Sequence, residues 1–216
     1  MKKIIKILAT AAVVVLLNSC LGASADISIH ANGSGKIALE YRVSQMLESI
    51  GRLDGNERWP AVPVGKADFE RSVARIPGLR LSSFSAKDTA NAAGGRDLVT
   101  RVVLEFKDTG ALLAFLDSTG SRASLSQVNG ENLLRLVLLE PSFNIANDDL
   151  KSLLREVSAG YEVSISLSAT KNASITVMPQ SVPAARMVSQ GKKVSFTIGT
   201  GELLNLENGL ALEISW

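Results

Sequence analysis

The sequence predicts an α+β fold, in which a mostly antiparallel sheet has short helices packed on one face within a single domain. Short segments alternate apolar and polar side chains, which is typical of strands with one solvated face. These strands follow one another in hairpin order, and Asn129-Gly130 is the strongest turn signal. Between the strands lie segments in which apolar residues recur at helical spacing and which end at glycine or proline. The pattern predicts about nine strands and four or five short helices.

The first half of the domain opens with a hairpin. Apolar and polar side chains alternate on both sides of residues 32–35, whose Asn, Gly and Ser residues tolerate positive φ. Ser44 can cap a short helix, and Pro77-Gly78 ends a second helix. The loop between these helices contains prolines, so it is not expected to form a central strand of a sheet. The predicted order is a hairpin, a helix, a loop, a helix, a strand and a flexible turn, at 26–43, 44–50, 51–66, 67–76, 79–84 and 87–96.

The second half opens with the clearest buried strand, Leu98 to Phe106. Asp108 can cap the helix that follows. Asp148-Asp149 places two acids at a helix start, where they favour the helix dipole. The predicted order is a strand, a helix, a hairpin, a helix, three strands, a helical turn and a last strand, at 98–106, 110–116, 123–139, 147–157, 161–168, 173–177, 194–198, 202–206 and 210–216.

The first residues have the composition of a secretory signal. Met1 to Lys6 is positively charged, and Ile7 to Leu17 is apolar except for Thr10. The apolar run is too short for a membrane-spanning helix, and it ends in small residues.

The only cysteine lies where this signal ends. Leu17-Asn18-Ser19-Cys20 resembles the lipobox of bacterial lipoproteins, although Asn18 departs from its usual residues. The resemblance implies cleavage between Ser19 and Cys20, diacylglycerol on the Cys20 thiol and an N-acyl lipid on its amine. Residues 1–19 would be the signal peptide, 20–25 a lipidated tether and 26–216 the domain. The alternative is an ordinary secretory signal followed by a chance cysteine.

The charge balance argues against a nucleic-acid partner. The full chain carries a net charge of +2, but the leader holds three lysines and no acid, so 20 basic and 21 acidic side chains remain without it. Bases and acids are interleaved over residues 52–80, which predicts a mixed solvated surface. One cysteine excludes an internal disulfide and a cysteine-based metal cluster, and one histidine excludes a site that needs two.

No catalytic motif is found, so we expect no enzyme, no catalytic residue, no metal and no cofactor beyond the covalent lipid. His30 alternates with Ile27 and Ile29, which predicts an exposed strand histidine. The sequence has no G-x-S-x-G elbow and no phosphate-binding loop. An enzyme that uses His30 is kept as a third hypothesis.

Trp59 is the one aromatic residue in an unusual context, between polar residues and Pro60. It either packs under its own loop or contacts a partner or a membrane. We retain it as a candidate partner contact.

Both ends of the domain resemble a known family. Asp26 to Gly35, and Gly191 to Ile198 with a last strand that ends at Trp216, are similar to the LppM lipoprotein domain of bacteria. The resemblance implies an α+β domain over about residues 20–216 that interacts with envelope lipids, and it supplies no catalytic residues. Members often continue into a C-terminal transmembrane helix. This chain stops at Trp216, so Cys20 is expected to be the only anchor.

These observations predict a non-catalytic lipoprotein of the bacterial cell envelope, anchored to the membrane by its lipid. Leu21, in place of Asp after the cysteine, favours the outer membrane. The predicted ligand is a lipid or another amphiphile in an open space between sheet and helices. The alternative is an interaction scaffold or surface ligand that binds another envelope protein through an exposed patch or edge strand.

Overall fold

The computed structural model describes residues 22–44, 65–91, 94–117, 122–141, 148–180 and 182–216. The strands are β1 (Gly22–Ile29), β2 (Gly35–Ser44), β3 (Leu79–Ala90), β4 (Arg96–Phe106), β5 (Ala123–Val128), β6 (Glu131–Leu139), β7 (Glu162–Ser168), β8 (Ser174–Met178), β9 (Arg186–Gln190), β10 (Lys193–Gly199) and β11 (Leu210–Ser215). The helices are α1 (Lys66–Val73), α2 (Thr109–Leu116), α3 (Asp148–Val157) and α4 (Thr200–Leu203).

The strands form two sheets. A seven-stranded sheet has the order β3-β4-β2-β1-β7-β10-β9, and a four-stranded sheet has the order β5-β6-β11-β8. All described pairs are antiparallel except β1 and β7, which are parallel. The predicted α+β fold with mostly antiparallel pairing is therefore confirmed.

The hydrophobic core lies between the two sheets. On β2, Ile37, Leu39 and Tyr41 are buried, whereas Lys36 and Arg42 are exposed on the opposite face. One continuous cluster of apolar side chains joins this inner face to residues of β6 and β11. The prediction that helices cover the apolar face is thus incomplete, because a second sheet covers much of it.

Helices α1 and α2 also contribute to the core. Phe69 of α1 packs against Phe84 and Tyr41, with ring centroids 5.8 and 6.3 Å apart. Helix α2 buries Ala111, Leu112, Phe115 and Leu116, and the Asp108 carboxylate caps it by accepting from the Ala111 amide at 2.9 Å, as predicted. Among the described residues, no helix has the length and apolar character needed to cross a bilayer.

Several element boundaries differ from the sequence prediction. Strand β1 begins at Gly22, so residues 22–25, expected to be a tether, are paired with β2, and residues 23–25 are also paired with β7. Strand β3 continues to Ala90, and the predicted flexible turn at 87–96 shortens to the residues between β3 and β4. Strand β9 was not predicted, since all five of its residues are exposed and leave no alternating pattern. The predicted helix at 44–50 lies outside the described residues after Ser44.

Candidate functional site

A cleft of about 440 Å³ lies on the outer face of the seven-stranded sheet, where β1 begins. Five neighbouring strands, β3, β4, β2, β1 and β7, contribute residues to its lining. Ser24 pairs with Glu40 on one side and with Ser164 on the other. Glu40 and Ser164 alternate with buried residues, so the side chains of all three positions face outward. The cleft is thus a product of sheet pairing between segments far apart in the sequence.

Three side chains at one wall of the cleft form a hydrogen-bonded network. The Tyr161 hydroxyl donates to the Asp97 carboxylate, with its oxygen 2.8 and 2.9 Å from Oδ1 and Oδ2. Asn91 Nδ2 donates to Asp97 Oδ1 at 2.8 Å, and Asn91 Oδ1 accepts from the Gly95 amide at 2.8 Å. Asp97 is only 2% exposed, so the network satisfies a buried carboxylate with neutral donors.

Gly22 gives the Tyr161 ring its room. An ideal Cβ at residue 22 would lie 3.2 Å from Tyr161 Cδ1, closer than most real contacts. The first residue of β1 and the residue before β7 therefore fit together because one of them has no side chain.

The environment of Tyr161 fixes its protonation. Burial first, and then the hydrogen bond to the Asp97 carboxylate and its negative charge, together raise the pKa of the Tyr161 hydroxyl to about 12. At neutral pH the hydroxyl keeps its proton and donates a hydrogen bond to the Asp97 carboxylate. The oxygen lone pairs are then left to accept, as they do weakly from Asn91 Nδ2 at 3.4 Å.

Tyr161 should make the fold sensitive to alkaline pH. A tyrosine of the unfolded chain ionises with its usual pKa of 10.0, whereas the pKa of Tyr161 in the folded state is about 12. Its stabilising contribution is therefore complete below pH 10 and is lost as the pH rises towards 12. Urea unfolding midpoints of the wild type should fall over this interval more than those of Tyr161→Phe. Equal slopes for the two proteins would contradict the assignment.

Glu40 forms the second charged group of the cleft. Its Oε1 accepts from Arg42 Nε and Nη2 at 3.0 and 2.8 Å, and its Oε2 accepts from Arg101 Nε at 2.6 Å. Partial burial, the largest single influence, raises the pKa of Glu40, but the hydrogen bonds and charges of Arg101 and Arg42 together bring it below the usual value. Glu40 is thus a carboxylate anion that forms ion pairs with both arginines.

Carboxylate, hydroxyl and amide groups line the cleft beside the Arg42 guanidinium. In the described part of the chain, no three His, Cys, Asp or Glu side chains are grouped to hold a metal ion. His30 lies at the opposite end of β1, where it is exposed as predicted and its Nδ1 is 3.2 Å from Ser34 Oγ.

The interior between the sheets offers little space. An apolar cavity of about 50 Å³ lies between Ile27, Leu39 and Ile165 of the large sheet and Leu136 and Leu138 of the small one. Ligand pockets usually measure about 300–1,000 Å³. The open space predicted between sheet and helices is therefore not found among the described residues.

The candidate site residues predicted from the sequence differ from those that the structure brings together in the cleft. Ser19 and Cys20 as the cleavage site, Cys20 as the lipid attachment residue and Trp59 as a partner contact lie outside the described residues and stay predictions. Asp97 and Tyr161 were missed, since they are 64 residues apart and only strand pairing joins them. The one local signal was a carboxylate at the start of the most apolar strand.

No protein-family model and no curated protein sequence matches the chain. Among solved structures, the fold is similar to the folded domain of the LppM protein of Mycobacterium tuberculosis, determined by NMR. The two share 9% sequence identity with a TM-score of 0.43, over 88% of this chain and 86% of that one. A similarity of this size assigns neither a family nor a function.

Proposed function

We propose that the protein is a non-catalytic lipoprotein of the bacterial cell envelope, anchored through Cys20, that binds a lipid or other amphiphile by its polar group in the cleft. The observation that carries the proposal is the position of the lipobox-like residues. Cys20 ends the apolar leader and lies two residues before Gly22, which both begins β1 and lines the cleft.

Covalent geometry supports a cleft close to the membrane surface. Two residues span at most about 7 Å, so a lipid on Cys20 would hold the start of β1 near the headgroups. The polar headgroup layer is itself roughly 5–8 Å deep on each side of a bilayer. Two or three acyl chains would hold the protein there stably, at about 0.8 kcal/mol for each buried methylene.

The filled interior supports recognition of the polar group rather than of the acyl chains. A cavity of about 50 Å³ is too small for a chain of lipid length. The acyl chains of an amphiphile would stay in the bilayer, and its headgroup would enter the cleft.

The anchor is tested on the full chain expressed in a bacterium fed an alkyne-bearing fatty acid. Wild-type protein should take up the label and fractionate with membranes, and mass spectrometry should find the mature N-terminus at Cys20. Cys20→Ser should lose the label and remain unprocessed. Asn18→Ala, which restores a usual lipobox residue, is the matched control and should be processed at least as well. Labelled Cys20→Ser or unlabelled wild type would refute the anchor.

The membrane in which the protein resides is tested by the residue after the cysteine. Leu21 favours the outer membrane by analogy with enteric sorting. In an enteric host, density-gradient fractionation should place the wild type in the outer membrane and Leu21→Asp in the inner membrane.

A second candidate function is an interaction scaffold, and the edge strand β9 favours it. All five residues of β9 are exposed, including the apolar Met187 and Val188 at 48% and 46%. An open strand edge can pair with a strand of another protein. A photo-crosslinker at Val188 should then capture one defined envelope protein, whereas the same group at the exposed Glu131 should not.

A further inference from the structure

We propose that the cleft at the start of β1 binds a primary ammonium group, with the Tyr161 oxygen and the Glu162 carboxylate as its acceptors and Asp97 as the residue that positions Tyr161. The ligand class is a primary amine, of which the ethanolamine headgroup is one source. The inference deepens the proposed function and rests on it only for that source.

The charges of the cleft favour a donor. Three carboxylates line it, those of Glu40, Asp97 and Glu162, against the single guanidinium of Arg42. Arg42 directs two nitrogens at Glu40, so little of its fork remains for an anionic ligand. An ammonium offers three N–H donors together with a positive charge, and hydrogen bonds of this kind are among the strongest in proteins.

The Tyr161 network supplies a directed acceptor. Because its proton is committed to Asp97, the Tyr161 oxygen can only accept from a group in the cleft. Asp97 itself receives neutral donors, and no described Lys or Arg forms an ion pair with it. A cation beside Tyr161 would compensate this buried charge.

Glu162 can exchange its present partner. Its Oε1 is 2.6 Å from Arg186 Nη2, and the two side chains are 52% and 69% exposed. Exposed pairs of this kind contribute little to stability, so a bound ammonium can share the carboxylate at small cost.

The experiment uses the full chain, purified in detergent and titrated by calorimetry with ethanolamine. Two matched probes separate the recognised features. N-acetylethanolamine keeps the hydroxyl and lacks the charge, whereas choline keeps the charge and lacks N–H donors. Ethanolamine should bind saturably and both other probes at least about tenfold more weakly, as expected for the loss of charge-assisted hydrogen bonds.

Variants locate the site. Tyr161→Phe and Glu162→Gln should each weaken ethanolamine binding about tenfold. Glu105→Gln is the matched control, because Glu105 is a carboxylate on the same sheet face, at the opposite end of β4, held by Arg80 and Lys36. It should change the affinity less than about twofold. Near-ultraviolet circular dichroism checks folding, and the exposed Glu162→Gln keeps the test valid if Tyr161→Phe is unstable.

The source of the amine is separated in nanodiscs. If the ligand is a headgroup, nanodiscs of phosphatidylcholine with phosphatidylethanolamine should weaken the apparent ethanolamine affinity relative to phosphatidylcholine alone. Equal affinities would assign a soluble amine. No saturable binding by folded wild type, or equal binding by both site variants, would overturn the proposal. Such a result leaves the acyl-labelling test of Cys20 intact, so the two proposals fail separately.

Discussion

Gly35→Ala should lower the free energy of unfolding by at least about 3 kcal/mol, because the new methyl group has no place in the sheet. Gly35 sits in β2 between Ile29 of β1 and Phe106 of β4. An ideal Cβ there would overlap the Ser28 carbonyl oxygen and the Phe106 ring. The ring can turn, but the carbonyl belongs to the backbone ladder, so relief requires β1 and β2 to separate.

Urea unfolding of the full chain measures this loss. Gly94→Ala is the control, since Gly94 has a positive φ of +80°, unlike Gly35, and nothing lies within 4 Å of its ideal Cβ. Its cost should be only the roughly 1–2 kcal/mol of placing a side chain in the left-handed region. Equal losses for the two variants would show that the contact at Gly35 is relieved without separating the strands.

Phe196→Ala should destabilise the protein by about 3–5 kcal/mol, the range for removing a buried aromatic side chain. Phe196 lies on β10, is 0% exposed, and pairs with Ile165 of β7 and Met187 of β9. Its loss leaves a void in the core that both sheets share, and closely packed neighbours collapse only in part. A single unfolding transition should persist at a lower urea midpoint.

The control lies on the opposite strand of the same pair. Met187 faces Phe196 across the β9–β10 ladder but is 48% exposed. Met187→Ala should therefore change stability by no more than about 0.5 kcal/mol. A loss at Phe196 no larger than that at Met187 would mean that β10 does not contribute to the core.

Local features of the fold could be predicted because neighbouring residues decide them. Asn129 and Gly130 adopt φ of 53° and 82°, as their turn requires, and Asp108 caps α2. Strands could be predicted wherever one face is buried, because their apolar and polar side chains alternate. The division into two sheets could not be predicted. Alternation indicates which face of a strand is apolar, but it does not indicate which strands are its neighbours in the sheet.

The cleft could not be predicted for the same reason. Asn91 follows β3, Asp97 is the second residue of β4 and Tyr161 precedes β7, and no local pattern links the three. The alternating pattern assigned Tyr161 to the apolar face of a strand, whereas in the structure its hydroxyl donates a hydrogen bond to Asp97 in the cleft. The cleft depends on the parallel pairing of β1 with β7, a long-range contact that periodicity does not encode.

That pairing also sets the order in which the chain can mature during synthesis. Strand β1 occupies the middle of the seven-stranded sheet, and Asp26 and Ser166, which face each other across β1 and β7, are 140 residues apart. A ribosome adds roughly 5–20 residues per second, so the partner strand arrives on the order of ten seconds after β1. Until then the edge of β1 that β7 later occupies has no partner strand, and an unpaired strand edge is open to aggregation in that interval.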